Sequence, residues 1–243
     1  MEWVDPDTGE TPLEGFAFAD CGDVHIAGGQ VKENLDRITE VAAKIAASDA
    51  VVGAIGGDHS ISFPVGRGVC ERYGQVDVVH FDAHADFADT QGGSKFTHGS
   101  NLRRLSELPF INHITAVGIR NTNKSQRDDL ITYGGTMTSV RKARRDGIEE
   151  TIQREVPPAE HIYVSIDIDV LDAALVPGTT MPEPGGFTYD ELVRGLAAVA
   201  KKGRIVGFDI VELNPPHDIH GLTARTVNWF MFEFLRAIAE NER

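Results

Sequence analysis

Three short segments concentrate groups that bind divalent cations: Gly56-Gly57-Asp58-His59-Ser60, Asp82-Ala83-His84-Ala85-Asp86 and Ser165-Ile166-Asp167-Ile168-Asp169-Val170. In extended chain, residues two apart share a face, so Asp82, His84 and Asp86 converge on one side with small alanines between them. Asp167 and Asp169 share a face in the same way. Neighbouring carboxylates at the end of an apolar strand are costly unless a cation compensates them. In the first segment the paired glycines permit a sharp turn, Ser60 is placed to cap a helix, and His59 is expected to point out at the sheet edge. Together the segments offer two imidazoles and four carboxylates. That is too anionic for one structural zinc, which prefers a closed set of four Cys and His ligands. It fits two divalent ions, whose charge four carboxylates balance. Oxygen-rich ligands with one imidazole per ion suit Mn²⁺, with Fe, Co, Ni and Zn left open. Two such ions roughly 3.5–4 Å apart can make a shared water into hydroxide near neutral pH.

The segments follow or close apolar runs. Strands are predicted over Phe16–Asp20, Ala50–Ile55, Val76–Phe81, Ile114–Ile119, His161–Ile168 and Arg204–Val211. Several are nearly continuous apolar stretches, the pattern of a sheet covered on both faces. Helices are predicted over Val31–Ala47, Ser60–Tyr73, Ser125–Thr132, Val140–Glu155, Tyr189–Lys202 and Thr223–Ala239. In the first, Leu35, Ile38, Val41, Ala42 and Ile45 recur at helical spacing. Strand and helix in alternation imply an α/β fold: a single three-layer αβα domain over residues 1–243 with a mostly parallel sheet. Such sheets bind ligands beyond the carboxyl ends of their strands, where the three segments fall.

The 243 residues are 41% hydrophobic and 25% charged, with a formal net charge of −14. A chain of this length can bury a large core without staples. The acidic balance argues against nucleic acid and anionic membrane as partners, since both reward basic patches. Cys21 and Cys70, the two cysteines, are too few and too far apart for a secreted disulfide framework. No apolar run approaches the roughly 18 residues of a membrane helix. The N-terminal MEWVDPDTGE does not read as a signal peptide, and a cytoplasmic location is expected.

In this order, GGDHS, DAHAD and SIDIDVLD resemble the ureohydrolase family, which contains arginase, agmatinase and other guanidino hydrolases. Two further stretches agree: PGTTMPEPGG at 177–186 and FDIVELNPPHD at 208–218. The likeness runs from about Phe16 to the C-terminus. It implies an arginase-like fold and assigns His59, Asp82, His84, Asp86, Asp167 and Asp169 as the six metal ligands. It also implies that Glu212 holds the guanidinium and that His98 contacts substrate or carries a proton. Asp86, His98 and Glu212 are thus the catalytic candidates, with His98 and Glu212 binding substrate. The implied reaction is attack of metal-activated hydroxide on the guanidinium carbon, giving urea and an amine. Asp86 would pass a proton to the leaving amine, assisted by His98. Assembly as a homo-oligomer, a trimer or hexamer, is implied as well.

Two departures from the family pattern stand out. The strand and Arg/Gly-Pro loop that usually precede the segment near Phe16 are absent from this sequence. Thr180 and Met181 stand where the family pattern has Gly and Thr. The stretch after the Asp-rich motif, Phe87-Ala88-Asp89, looks closer to agmatinase than to arginase, and Asp89 would suit an amine tail such as that of agmatine. Guanidinobutyrate, guanidinopropionate, arginine, small guanidines and formimidoylglutamate are the other substrates considered. A two-metal phosphoesterase would want basic residues, of which Arg103 and Arg120 are the nearest in sequence. A catalytically impaired assembly subunit is the remaining alternative, and all six filled ligand positions speak against it.

Overall fold

The computed structural model describes Val4, Pro6, Gly9, Thr11, Leu13 and residues 15–242. Most of MEWVDPDTGE, including the reading of it as no signal peptide, lies outside the described residues. Continuous apolar runs become the strands of one sheet: β1 (Val52–Ile55), β2 (Val76–Phe81), β3 (Ile111–Ile119), β4 (Thr136–Ser139), β5 (His161–Asp167) and β6 (Arg204–Val211). All pairings are parallel, in the order β1-β6-β5-β2-β3-β4. Every residue of β2 is buried, as two covered faces require.

The helices are α1 (Val31–Ala46), α2 (Ser62–Cys70), α3 (Asn101–Ser106), α4 (Lys124–Tyr133), α5 (Val140–Asp146), α6 (Ile148–Glu155), α7 (Tyr189–Ala200) and α8 (Leu222–Glu242). One face of the sheet packs Phe81, Val164 and Ile210 with Ile152, Leu196, Phe230 and Phe234 of α6, α7 and α8. The other packs Val78, Val206 and Tyr163 with Ile38 and Ala42 of α1, Val69 of α2 and Leu105 of α3. Helices α1 and α2 approach closely at Gly68, where a Cβ would stand 2.4 Å from the Thr39 carbonyl oxygen. No helix of the described residues is long and apolar enough to cross a membrane.

Some expectations need correction. Residues 16–20 form no strand and are largely exposed. The helix expected over Ser60–Tyr73 is a 3₁₀ turn (His59–Ile61) followed by α2, and the cap is Asp58, whose Oδ1 accepts the Ser60 N–H at 2.8 Å. The helix expected over Val140–Glu155 breaks at Gly147, whose φ of 87° an α-helix does not accommodate. Edge strand β4 (Thr-Met-Thr-Ser) and the short α3 were not expected, because neither carries a clear apolar period.

The topology positions the chemistry. From β2 the chain winds outward through β3 to β4, then returns to β5 on the other side of β2. The direction of winding therefore reverses between β2 and β5, the place where such sheets open a crevice. Phe81 pairs with Ile166, so Asp82 emerges beside Asp167. Asp167 pairs with Val211, and Ile55 with Ile210, so Glu212 and the 56–60 turn leave the same edge.

Candidate metal centre

All six expected ligands come together, and five of them are buried. Asp82 is 0% exposed, His59 1%, Asp169 2%, Asp167 3% and Asp86 7%, while His84 is half-buried. Simple alternation accounts for only part of this. Asp169 lies in a 3₁₀ turn (Ile168–Val170) capped by Asp167, whose Oδ1 accepts the Asp169 N–H at 2.8 Å. Asp86 has a φ of 46°, outside extended backbone. His59 does not point out at the sheet edge. Its ring is buried inward among the carboxylates.

His59 reveals the chemistry of the donor set. The Ser165 hydroxyl donates to Asp209 Oδ1 at 3.0 Å, and its Oγ lies 2.9 Å from His59 Nε2. With its one proton committed, Ser165 must accept from an Nε2–H. That tautomer leaves Nδ1 as a lone pair. Facing Nδ1 are Asp82 Oδ2 at 3.2 Å, Asp86 Oδ2 at 3.1 Å and Asp167 Oδ2 at 3.1 Å. Three carboxylate oxygens and a nitrogen lone pair at these distances require a cation among them, either a proton or a metal. Asp82 Oδ2 is buried and has no hydrogen-bond partner of good geometry among the described residues, although His80 Nε2 is 2.9 Å away. The residues thus fit a metal ion.

A second cluster adjoins the first through Asp82. His84 Nδ1 lies 3.0 Å from Asp169 Oδ2 and 3.4 Å from Asp82 Oδ1. The donor atoms of Asp82, His84 and Asp169 lie within 4.8 Å of one another, as do those of His59, His80 and Asp82. The Ala83 N–H donates to Asp169 Oδ1 at 3.0 Å and the His84 N–H to Asp82 Oδ1 at 2.6 Å, fixing both carboxylates.

The electrostatics match. Burial alone pushes the His59 pKa down, but contacts with Asp167, Asp82 and Asp86 hold it well above the usual histidine range. Burial likewise lowers His84, and Asp169 and Asp82 overcome this to raise it to about 11. Burial, with Asp169 and Asp82 nearby, holds the Asp167 carboxyl well above the carboxylate range. Burial and Asp82 raise Asp169 to about 6. Burial pushes Asp82 up, but His80 and His59 pull it well below. The raised values of His59, His84, Asp167 and Asp169 all favour the protonated forms when no metal is bound.

Glu212 sits at the end of β6 with a φ of 70°. Its N–H donates to the Gly57 carbonyl at 2.8 Å, its carbonyl accepts from Thr179 Oγ1 at 3.0 Å, and its Oε1 accepts the His59 N–H at 2.8 Å. It is fastened beside His59. His98 lies exposed in a 3₁₀ turn (His98–Ser100), and its ring has no hydrogen-bonding partner among the described residues. That turn is tied to Asp86 through Asn101, whose Nδ2 donates to Asp86 Oδ2 at 2.7 Å and to the His98 carbonyl at 2.6 Å. Thr180 and Met181 are both exposed on their loop.

Residues beyond the six expected ligands complete the surroundings. His80 stacks on His59 with ring centroids 5.0 Å apart. Its place two before Asp82 continues the same alternation, a signal that was available. Asp209, a carboxylate inside an apolar run, accepts from Ser62, Ser165 and Tyr163. Arg120 donates to the carbonyls of Asp169, Leu171 and Glu183 at 2.6, 3.2 and 2.8 Å, and so binds the 169–184 loop. Arg103 lies over the Phe87 ring and pairs with Glu107 and Asp129. Both arginines that a phosphoesterase would use are therefore engaged elsewhere. Asp89 is engaged too: its Oδ1 lies 3.0 Å from Arg104 Nη2 and 3.7 Å from Lys95 Nζ. Asp89 is thus shared with two cations of its own chain.

A parallel sheet with a buried cluster of His and Asp fit for a cation at its switch point is an arrangement that metal-assisted hydrolysis can use. Known proteins make this specific. A model of the arginase family matches residues 1–236. The chain is 31% identical to the mitochondrial guanidino acid hydrolase of Homo sapiens, with 97% of this chain and 68% of that protein covered. It is 35% identical to guanidinopropionase of Pseudomonas aeruginosa, with 95% and 74% covered. The crystal structure of a putative agmatinase from Clostridium difficile superposes with a TM-score of 0.87 at 30% identity, covering 100% of this chain and 87% of that one. The chain belongs to the arginase family. It is a hydrolase acting on the C–N bonds of guanidino compounds.

Proposed function

We propose that this chain holds two divalent cations, Mn²⁺ foremost, among His59, Asp82, His84, Asp86, Asp167 and Asp169, and hydrolyses a small guanidino compound such as agmatine to urea and an amine. The observation that carries this reading is the His59 Nδ1 lone pair facing Asp82, Asp86 and Asp167 while Asp82 also belongs to the His84–Asp169 cluster. His59, Asp86 and Asp167 would hold one cation and His84 and Asp169 the other, with Asp82 within reach of both clusters. When bound, such a pair supplies an acidic water as nucleophile and a sink for developing charge.

The chain's own groups supply the rest. Glu212 orients the substrate: its Oε1 is held by the His59 N–H, and its remaining oxygen meets a guanidinium N–H in a charge-assisted bond. Asp86 accepts a proton through the carboxylate oxygen that does not face the His59 lone pair and passes it to the leaving amine. His98, exposed and unpartnered among the described residues, assists that transfer as acid or base.

A second reading of the tail takes a guanidino acid in place of agmatine. The relatives named guanidino acid hydrolase and guanidinopropionase agree with it. One preparation tests both readings. Metal analysis should find close to two ions per chain, and urea release should be screened over agmatine, guanidinopropionate, guanidinobutyrate, arginine and formimidoylglutamate. Light scattering on the same sample measures the expected trimer or hexamer. One tightly held ion with full activity would defeat the two-metal reading, and preference for a guanidino acid would replace agmatine.

A further inference from the structure

We propose that Asn101 is a positioning residue for Asp86, selecting through its amide N–H the carboxylate oxygen that faces the His59 lone pair. This rests on the role given to Asp86 above. The amide orientation follows from chemistry. Nδ2 lies 2.7 Å from Asp86 Oδ2 and 2.6 Å from the His98 carbonyl oxygen, and both of these only accept. The NH₂ group must face them, one N–H to each.

Asp86 needs such a holder. Its φ of 46° lies in the left-handed region, which Asp adopts more readily than most non-glycine residues but still at a cost. The start of α3 grips it twice: Asn101 Nδ2 holds the side chain, and the Arg103 N–H holds the Asp86 carbonyl at 3.4 Å. The oxygen Asn101 takes, Oδ2, is the one 3.1 Å from His59 Nδ1. Asn101 therefore decides how Asp86 presents itself to a cation. Through its second N–H it makes the turn bearing His98 move with Asp86.

The other half of the amide excludes a simple packing role. Asn101 is 1% exposed, and its Oδ1 is buried without a hydrogen-bond partner among the described residues. An unsatisfied buried acceptor is destabilising, and an apolar residue of the same size would avoid it. Stability alone gives no reason for asparagine here. Holding Asp86 and His98 together does.

The test uses Asn101→Leu, which keeps the bulk without the N–H, and Asn101→Ala, which cannot clash. Each is made in the full chain and again on an Asp86→Asn background. Mn²⁺ titration of metal-stripped protein and steady-state kinetics are read in parallel. Both Asn101 variants should weaken the more loosely held ion by about 10–100-fold, the usual effect of losing an outer partner. At saturating Mn²⁺, kcat should fall by roughly tenfold or more with KM little changed, since Glu212 is untouched. On the Asp86→Asn background neither substitution should add to the loss. Unchanged Mn²⁺ affinity and kcat, or an equal effect on both backgrounds, would overturn the proposal. If Asp86→Asn loses an ion and the Asn101 variants do not, only the positioning role falls. If Asp86→Asn keeps both ions and full turnover, the role of Asp86 falls and this inference with it.

Discussion

His59 Nε2 lies 2.9 Å from Ser165 Oγ, and this contact fixes which histidine nitrogen meets the carboxylates. Ser165 donates its own O–H to Asp209 Oδ1, so the imidazole keeps Nε2–H and presents Nδ1 inward. Ser165→Ala leaves the buried Nε2–H without its partner and the ring free to turn. The expected result is a loss of about 10–100-fold in affinity for one of two Mn²⁺ ions, with the other unaffected. Equilibrium titration monitored by metal analysis measures it. Equal affinities in parent and variant would mean that the ring is held by packing against His80 instead.

The proton balance of the cluster sets a pH dependence with a definite sign. Asp169 is raised to about 6 and His84 to about 11. Both folded values exceed the unfolded ones, so the metal-free native state binds more protons than the unfolded chain. Stability from Asp169 is present below its unfolded value and is lost as pH rises toward about 6. Stability from His84 is full below about 6.5 and is lost as pH climbs toward about 11. Metal-stripped protein should therefore melt at progressively lower temperature from mildly acid to alkaline pH. Excess Mn²⁺ competes with those protons and should stabilise more strongly as pH rises. Thermal melts across that range, with and without Mn²⁺, give the two slopes. Parallel slopes would show that protons and metal do not share the site.

Gly68 offers a test of the scaffold away from the chemistry. An alanine would gain helix propensity, up to about 1 kcal/mol. Its Cβ, however, would stand 2.4 Å from the Thr39 carbonyl oxygen, on the backbone of α1. Backbone cannot step aside as a side chain can, so Gly68→Ala should destabilise by about 1–3 kcal/mol. A lower denaturation midpoint with an unchanged Mn²⁺ stoichiometry is expected. A raised midpoint would mean that α1 and α2 are not packed so closely.

How legible this was in the sequence depended on the type of signal. Apolar runs located β2, β5 and β6 well because burial on both faces leaves an unbroken hydrophobic stretch. The edge strand β4 has no such run, and the conformation of Gly147 interrupts an otherwise helical pattern. Alternation drew attention to Asp82, His84 and Asp86, and to Asp167 and Asp169. The structure unites them through a left-handed Asp86 and a 3₁₀ turn, which alternation does not encode. His80 obeyed the pattern and was passed over. Asn101 and Arg120 could not have been found this way, since each acts on chain distant in sequence: Arg120 holds carbonyls from Asp169 to Glu183.

Glu212 tests the substrate class directly. Its backbone is pinned by Gly57 and Thr179, and its Oε1 by the His59 N–H, so the carboxylate is already placed before any substrate arrives. Glu212→Gln keeps the size. The amide oxygen can still accept from His59, and its NH₂ then turns donors toward a guanidinium that has only donors to offer. A charge-assisted bond of about 1.5–3 kcal/mol is replaced by a clash of like groups. Turnover of guanidino substrates should fall by at least roughly a hundredfold. Ion content should stay near two, because Glu212 is not among the six proposed ligands. Metal analysis and urea release on the same sample separate the possibilities. Loss of an ion would make Glu212 a support of the metal centre through His59. Undiminished urea release would show that the guanidinium is held by some other group.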